Sequence, residues 1–198
     1  FISMEKKDLR KKALKAIDNT DFYPERGRDR IRSMIETRPD WCISRQRIWG
    51  VPLPLFVSKK TKEPLKDSEV VENIAKIFEK EGADCWFTDD PQKFLGKKYK
   101  KEDYIKSNDI VEVWFDSGAT HSYVLEKRKD LAWPASMYLE GSDQHRGWFH
   151  SSLLESCGTR GRAPFKSILT HGFVVDGKGL KMSKSTGNII SPEEVLKK

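Results

Sequence analysis

The first forty residues carry apolar side chains at helical spacing on a charged background. Residues 5–17 show this pattern, which predicts an amphipathic helix, and residues 25–37 repeat it before Pro39, which predicts a second helix. The residues expected on the buried faces of these two helices are Leu9, Ala13, Leu14, Ile17, Ile31, Met34 and Ile35. The opening residues FISM are typical of the interior of a strand, and we expect the chain to be part of a longer protein.

The pattern changes between Lys59 and Ser107. Charged and turn-forming residues there surround one helical segment, EVVENIAKIFEKEG, which Gly82 is expected to end. This composition predicts a small α+β insertion whose lysines form a solvated face. We therefore divide the chain into residues 1–58, an insertion at residues 59–107, and a final segment at residues 108–198.

From Asp109 onward, short apolar runs alternate with helical stretches, which predicts a parallel α/β sheet. The predicted strands are IVEVWF, SMYLE and SILTHGFVV, and the predicted helices are RGWFHSSLLES and SPEEVLKK. A polar cluster follows each strand: FDSGATH, EGSDQHRG, and HGF with a lysine-rich loop. Because ligands collect beyond the carboxyl ends of parallel strands, we expect all three clusters to line one crevice.

Composition narrows the class of protein. Of 198 residues, 34% are charged, 37% hydrophobic and 11% aromatic, which excludes a disordered polyelectrolyte. A net charge of +7 favours polyanionic partners. The three cysteines are far apart, which predicts neither a disulfide framework nor a zinc site and favours a reduced, cytosolic setting. No apolar run reaches the roughly 18 residues that a membrane span needs.

The segment EGSDQHRG has the composition of a strand-to-helix junction that meets a polar ligand. Gly141 permits close backbone approach, and Ser142 or Asp143 is expected to cap a helix that begins near His145. Carboxylates suit ribose hydroxyls or an ammonium group better than phosphate. An equally good interpretation is a helix cap with an ion pair between Asp143 and Arg146.

The four histidines are His121, His145, His150 and His171. Two of them lie five residues apart rather than the four that a helical metal site prefers, so no metal ligation is predicted. Cys157 follows an apolar helix face, which predicts a buried, inert thiol. Nothing in this pattern indicates nucleophilic catalysis.

The loop DGKGLKMSKSTGN, residues 176–188, lacks the spacing of a Walker A loop. Its glycines predict mobility, and Lys181 and Lys184 supply point charges of the kind that stabilise a phosphate group in a transition state. The alternative is an exposed basic hairpin with no ligand.

Four segments together carry a family resemblance. DWCISRQRIWGVPLP, VWFDSGATH, YLEGSDQHRGWF and KMSKSTGN resemble the class I aminoacyl-tRNA synthetases, above all their isoleucine-specific members, in the same order. The resemblance implies the second half of a Rossmann-type parallel sheet with a small connective insertion. It also implies activation of isoleucine by ATP with Mg²⁺ and transfer to tRNA(Ile), by a monomer in the cytoplasm with no zinc site in this segment.

The resemblance implies a role for each matching residue. Lys181 and Lys184 would be catalytic and stabilise the ATP phosphates. Trp114 and Trp148 would wall the isoleucine side chain. The residues that would bind ATP or the aminoacyl-adenylate are Glu140, Gly141, Asp143, Gln144, His171, Gly172, Phe173, Val174, Met182 and Ser183.

The chain also departs from the family pattern, because it contains no His-x-Gly-His sequence. In the family this signature lies far upstream and binds ATP opposite the lysine loop, so we expect the isolated 198 residues to be inactive. Two alternatives stay open: a synthetase-derived module that binds RNA without catalysis, and the equivalent segment of a valyl- or leucyl-tRNA synthetase.

Overall fold

The computed structural model describes residues 1–197. They divide into two compact units. One unit, here called the hairpin unit, comprises residues 1–3 and 40–116, and the other, called the sheet unit, comprises residues 4–39 together with residue 117 onward.

Both units mix helices and strands. The helices are Leu9–Asp18 (α1), Arg26–Glu36 (α2), Ser68–Glu81 (α3), Cys85–Thr88 (α4), Pro91–Leu95 (α5), Val113–Gly118 (α6), Trp148–Arg160 (α7) and Pro192–Leu196 (α8). The strands are Asp21–Tyr23 (β1), Ser44–Arg45 (β2), Phe56–Ser58 (β3), Tyr104–Lys106 (β4), Ile110–Val111 (β5), Ala135–Gly141 (β6) and Phe165–His171 (β7). Within the described residues, no helix is both long and apolar enough to cross a membrane.

The sheet unit is built on a three-stranded parallel sheet in the order β1-β7-β6. Helices α1, α2 and α7 pack together on it, with Ile17, Ile31, Phe149 and Ile168 almost fully buried in the core. Strand β6 forms one edge of this sheet. The predicted parallel α/β fold is therefore confirmed for the last two predicted strands.

The prediction for IVEVWF was wrong. Only Ile110 and Val111 are extended, and they pair antiparallel with β2 rather than joining the parallel sheet. Helix α6 begins two residues later, at Val113, so FDSGATH follows a helix instead of a strand of that sheet. Short apolar runs do not distinguish a strand from the start of a buried helix, which explains the error.

The third strand of the parallel sheet is β1, which the pattern did not indicate. It has three residues, and only Phe22 is buried. The alternation of apolar and polar residues is therefore too short to indicate a strand. The other correction at the sheet concerns SILTHGFVV: β7 ends at His171, before Phe173.

The predicted helices agree with the structure except at their ends. Helices α1 and α2 bury the expected faces, although Leu14 and Met34 are only half-buried. Helix α7 begins at Trp148, because residues 142–145 form a separate 3₁₀ turn instead of its first turn. The predicted C-terminal helix is α8; Lys198 lies outside the described residues.

The hairpin unit contains the predicted helix of residues 68–81 as α3, followed by Gly82 with a φ of 82°. The side chain of Asp67 caps this helix by accepting a hydrogen bond from the Glu69 amide at 2.9 Å. The antiparallel pair β3 and β4 completes an α+β arrangement around Trp86, which is fully buried. The predicted FISM strand is reduced to a single bridge between Ile2 and Trp41.

Candidate active site

The polar clusters that follow β6 and β7 meet at one edge of the parallel sheet. Gly141 is paired in register with His171, and Tyr23 at the end of β1 is level with Leu169. The chain leaves all three strands at this edge, where parallel sheets place their ligands. Two of the three clusters expected to converge, those that follow β6 and β7, are therefore neighbours. The end of β1 lies at the same edge, next to the end of β7.

Gly141 and Asp143 are packed against each other directly after β6. A Cβ atom at Gly141 would lie 2.5 Å from Oδ1 of Asp143, a distance that real side chains do not reach. A glycine at this position therefore lets the Asp143 carboxylate lie over the end of the strand. Glu140, the preceding residue, is exposed on β6.

Gln144 holds the start of α7. Its side-chain oxygen Oε1 accepts a hydrogen bond from the Trp148 amide at 2.8 Å, while its Nε2 donates to Asp143 at 3.3 Å. The prediction that Ser142 or Asp143 caps this helix was wrong, because the intervening 3₁₀ turn carries those residues one turn upstream. The structure shows no ion pair between Asp143 and Arg146 within residues 1–197.

His145 is buried at the end of this turn. Its Nδ1 lies 2.7 Å from the Ser142 carbonyl, so Nδ1 carries the proton and donates it. Nε2 is buried without a hydrogen-bond partner in the described residues, and it lies against Gly27 of α2. Burial lowers the pKa of His145, and the Ser142 carbonyl opposes this only in part, so the imidazole is neutral near pH 7.

Trp148 is held rigidly in the sheet unit. Its indole stacks on Tyr138 of β6 with ring centroids 4.0 Å apart and planes within 2°. Its Nε1 also donates to the Ser117 carbonyl at 2.9 Å, so one side of the ring and its polar atom are both fixed. Trp114 lies in the hairpin unit on α6, where its side chain is 42% exposed.

The lysine loop is an ordered hairpin organised by Asp176. One carboxylate oxygen of Asp176 accepts from the amides of Lys178 and Leu180, each at 2.9 Å, and the other accepts from Nδ2 of Asn188 at 2.8 Å. These hydrogen bonds, above all the one from Asn188, lower the pKa of Asp176. Neither residue was given a role from sequence, although an Asp-Gly pair and a terminal Asn are typical turn signals.

Within this hairpin, the two candidate catalytic lysines differ. The Lys181 ammonium lies 3.8 Å from the centroid of the Phe173 ring, a cation–π contact. Lys184 is exposed on the following turn and makes no ion pair within residues 1–197. Met182 joins the loop to the strand end through its amide, which donates to the Val174 carbonyl at 3.2 Å. The Ser183 amide donates to Asn188 at 3.0 Å.

A cavity of about 250 Å³ opens beside His145, and helix α2, for which the sequence pattern indicated no ligand, forms one side of it. Its lining residues are Pro24, Arg26, Gly27, Arg30, Ser142, His145, Thr170, His171 and Gly172. In the part of the chain that the structure describes, no three His, Cys, Asp or Glu side chains come together in a way that could hold a metal ion. Cys157 is fully buried, as predicted, and burial raises its pKa to about 12.

A parallel sheet with polar junctions and an ordered lysine loop at its carboxyl edge is the arrangement in which α/β proteins place their ligands. Comparison with known proteins identifies the family: residues 1–198 match the family model of the class I tRNA synthetases (I, L, M and V). The chain belongs to this family.

Curated relatives in this family carry a more particular name. The chain is 77% identical over 198 residues to the isoleucine–tRNA ligase of Pelagibacter ubique (strain HTCC1062), which covers the whole chain and 22% of that protein. It is 57% identical over 204 residues to the isoleucine–tRNA ligase of Syntrophotalea carbinolica, again covering the whole chain and 22% of the relative. The chain thus spans about a fifth of the length of these relatives.

A solved structure with a similar fold is the ternary complex of Agrobacterium radiobacter K84 agnB2 LeuRS with tRNA and LeuAMS. The match has a TM-score of 0.52 and 19% sequence identity, and it covers 80% of this chain and 23% of that one. At this identity the likeness concerns the fold alone, and it agrees with the class I synthetase architecture expected from the sequence motifs.

Proposed function

We propose that the protein containing this chain is an ATP-dependent isoleucine–tRNA ligase of the cytoplasm. The observation that carries this proposal is 77% identity along the whole chain to an isoleucine–tRNA ligase. In the proposed reaction, the isoleucine carboxylate attacks the α-phosphorus of Mg²⁺-bound ATP and pyrophosphate leaves. The isoleucyl group is then transferred from the adenylate to the 3′ end of tRNA(Ile).

We assign the lysine loop to the phosphates of ATP. Lys184 is exposed and makes no ion pair in the described part of the chain, so its charge is available to a polyanion. Lys181 has to leave the face of Phe173 to reach one. Met182 and Ser183 connect the two lysines to the hairpin that Asp176 organises. Point charges held in this way stabilise the negative charge that develops as pyrophosphate departs.

We assign the two strand ends to the adenylate. Glu140, Gly141, Asp143 and Gln144 follow β6 and would contact the ribose or the amino group of isoleucine, for which carboxylate acceptors are suited. The residues after β7 would border the adenine; they are His171, Gly172, Phe173 and Val174.

Trp148 is our proposed wall for the isoleucine side chain, because stacking on Tyr138 and a hydrogen bond to Ser117 fix its indole. Trp114 is the proposed second wall. A rigid aromatic slot excludes larger side chains but discriminates valine from isoleucine by only about 1–3 kcal/mol.

We further propose that the other half of the catalytic sheet pairs with the free edge of β6. In the described residues β6 pairs only with β7. Its Met137 and Leu139 are also 43% and 55% exposed, whereas strands of a parallel sheet are ordinarily covered on both faces. In this assignment residues 1–58 begin the catalytic segment, residues 59–107 are a connective insertion and residues 108–198 form the second half of the domain. The complete protein would act as a monomer.

The test uses a chimaeric enzyme: the Pelagibacter ubique ligase with its homologous segment replaced by this chain. We expect it to catalyse isoleucine-dependent ATP–pyrophosphate exchange, with isoleucine preferred over valine by roughly 10- to 200-fold in kcat/KM. The isolated 198 residues should give only background exchange. Absence of exchange by a folded chimaera, or a preference for valine or leucine, would contradict the proposed function.

The role of Lys184 is tested in the same enzyme. Lys184→Ala should lower kcat for adenylate formation by about 100-fold while the KM for isoleucine stays nearly constant, because the lost charge acts mainly in the transition state. Lys178→Ala is the matched control, since it removes a lysine from the same hairpin outside the KMSKS segment. Equal effects of the two substitutions would remove the role assigned to Lys184.

A further inference from the structure

The cavity beside His145 carries an excess of positive charge. Arg26 and Arg30 lie four residues apart, on one face of α2, and both line it together with His171 at the end of β7. Neither arginine makes an ion pair within residues 1–197. The carboxylates closest in sequence are those of Glu25 and Asp29, and no contact of either with these guanidinium groups is present in the described residues.

Some other arginines of the sheet unit are neutralised by partners within the unit. Arg32, on the same helix, pairs with Asp18 at 2.5 Å and with Glu36 at 3.1 Å. Arg10 is held by Glu5 at 2.7 Å. In the described residues Arg26 and Arg30 have no such counter-ion, and they lie at the carboxyl edge of the parallel sheet.

His145 forms one side of this cavity and is only 2% exposed. Its Nδ1 donates a hydrogen bond to the Ser142 carbonyl, and its Nε2 lies against Gly27 without a hydrogen-bond partner in the described residues. Because Nε2 is sealed from solvent, His145 contributes to the wall of the cavity, and the two arginines are the groups that can contact a ligand.

We propose that this cavity is a phosphate-binding subsite. Two guanidinium groups on one helix face match the oxygens of a phosphate. The inference rests on the proposed function, which provides two substrates with ribose-linked phosphates: ATP and the backbone of tRNA. It is separate from the lysine loop, since the cavity lies between the ends of β1 and β7 and α2 supplies its charges.

The kinetic test uses the chimaeric enzyme with both arginines replaced, Arg26→Gln and Arg30→Gln. We expect the KM of one phosphate-bearing substrate to rise by roughly tenfold or more per arginine, as lost charge-assisted hydrogen bonds predict. Arg32→Gln is the matched control, because it removes the same charge from the same helix away from the cavity. Arg30→Lys should retain part of the effect, since it keeps charge but not the planar fork.

The two sources of phosphate are separated by two assays. A higher KM for tRNA in aminoacylation would assign the cavity to the tRNA backbone. The slope of log affinity against log salt concentration should then become shallower by about one for each lost phosphate contact. A higher KM for ATP in exchange without tRNA would assign it to ATP. If both KM values match those of Arg32→Gln, the subsite does not exist, whereas loss of exchange in the unsubstituted chimaera would count against the proposed function only.

A measurement independent of activity uses the isolated chain and inorganic phosphate. NMR signals of the His145 imidazole and the Arg30 side chain should shift saturably in the parent chain and in Arg32→Gln. They should not shift in the Arg26→Gln, Arg30→Gln double variant. Equal shifts in all three proteins, or no shift in any of them, would overturn the proposal.

Discussion

His150 should make the stability of this protein fall steeply below neutral pH. The side chain lies on α7 with only 3% of its surface exposed, and neither ring nitrogen is hydrogen-bonded within the described residues. Burial lowers its pKa from 6.5 to about 3, and the nearby positive charge of Arg38 contributes in the same direction. The folded protein therefore holds His150 as a neutral imidazole.

The sign and size of the effect follow from the two pKa values. Above the unfolded pKa of about 6.5, neither state is protonated and the full stability is present. Below it, the unfolded chain binds a proton that the folded protein does not, so stability is lost at about 1.4 kcal/mol per pH unit down to about pH 3. Between pH 7 and pH 5 the expected loss from His150 is about 2 kcal/mol.

The assay compares the parent chain with His150→Leu and His150→Gln by urea unfolding at pH 7 and pH 5. His121 and His145 are also buried and have lowered pKa values, but they are present in all three proteins and cancel in the comparison. Both variants should lose about 2 kcal/mol less than the parent over this pH interval. Their different shapes change the free energy of unfolding at pH 7 but not this pH-dependent difference.

A direct readout is the chemical shift of the His150 Cε1 proton during a pH titration of the folded chain. This signal should stay constant down to about pH 5. A transition near pH 6.5 in the folded protein, or equal pH dependence of parent and variants, would refute the reasoning.

Three further predictions concern the site and the cysteines. In the chimaera, Gly141→Ala should lower the rate of adenylate formation by about 100-fold. The new Cβ atom would have to displace the Asp143 carboxylate by about 1 Å. A rate within twofold of the parent would contradict this prediction. Asp176→Ala removes the acceptor for three hydrogen bonds, so hydrogen exchange across the lysine hairpin should accelerate several-fold, and unchanged protection would show that Asp176 does not organise it. A thiol reagent at neutral pH should modify Cys42 long before Cys157. Hydrogen bonds with Ser44 lower the pKa of Cys42, whereas burial raises the pKa of Cys157 to about 12. The reverse order of modification would contradict both pKa directions.

Helical periodicity was sufficient to predict α1, α2 and α3, because each helix carries a charged face and a buried face over ten or more residues. Short apolar runs likewise indicated β6 and β7, although only one residue of β6 and three residues of β7 are buried. The KMSKS segment and the junction after β6 were visible as short motifs, since their residue types and order are local properties of the chain. Local pattern failed at IVEVWF, where an apolar run of six residues fits either a strand or a strand followed by a helix.

The amino-acid order alone thus established the parallel α/β class, the family and the residues of the lysine loop, all of which depend on neighbours in sequence. It could not reveal β1, the stack of Trp148 on Tyr138, or the cavity between Arg30 and His145, since each joins residues that are distant along the chain. Burial also sets the chemistry of the buried histidines, because it keeps His150 and His145 neutral. In the described residues it leaves Nε2 of His145 and both ring nitrogens of His150 without a hydrogen-bond partner. Such properties arise only when the sheet and helices pack together and exclude water from groups that are polar in the unfolded chain.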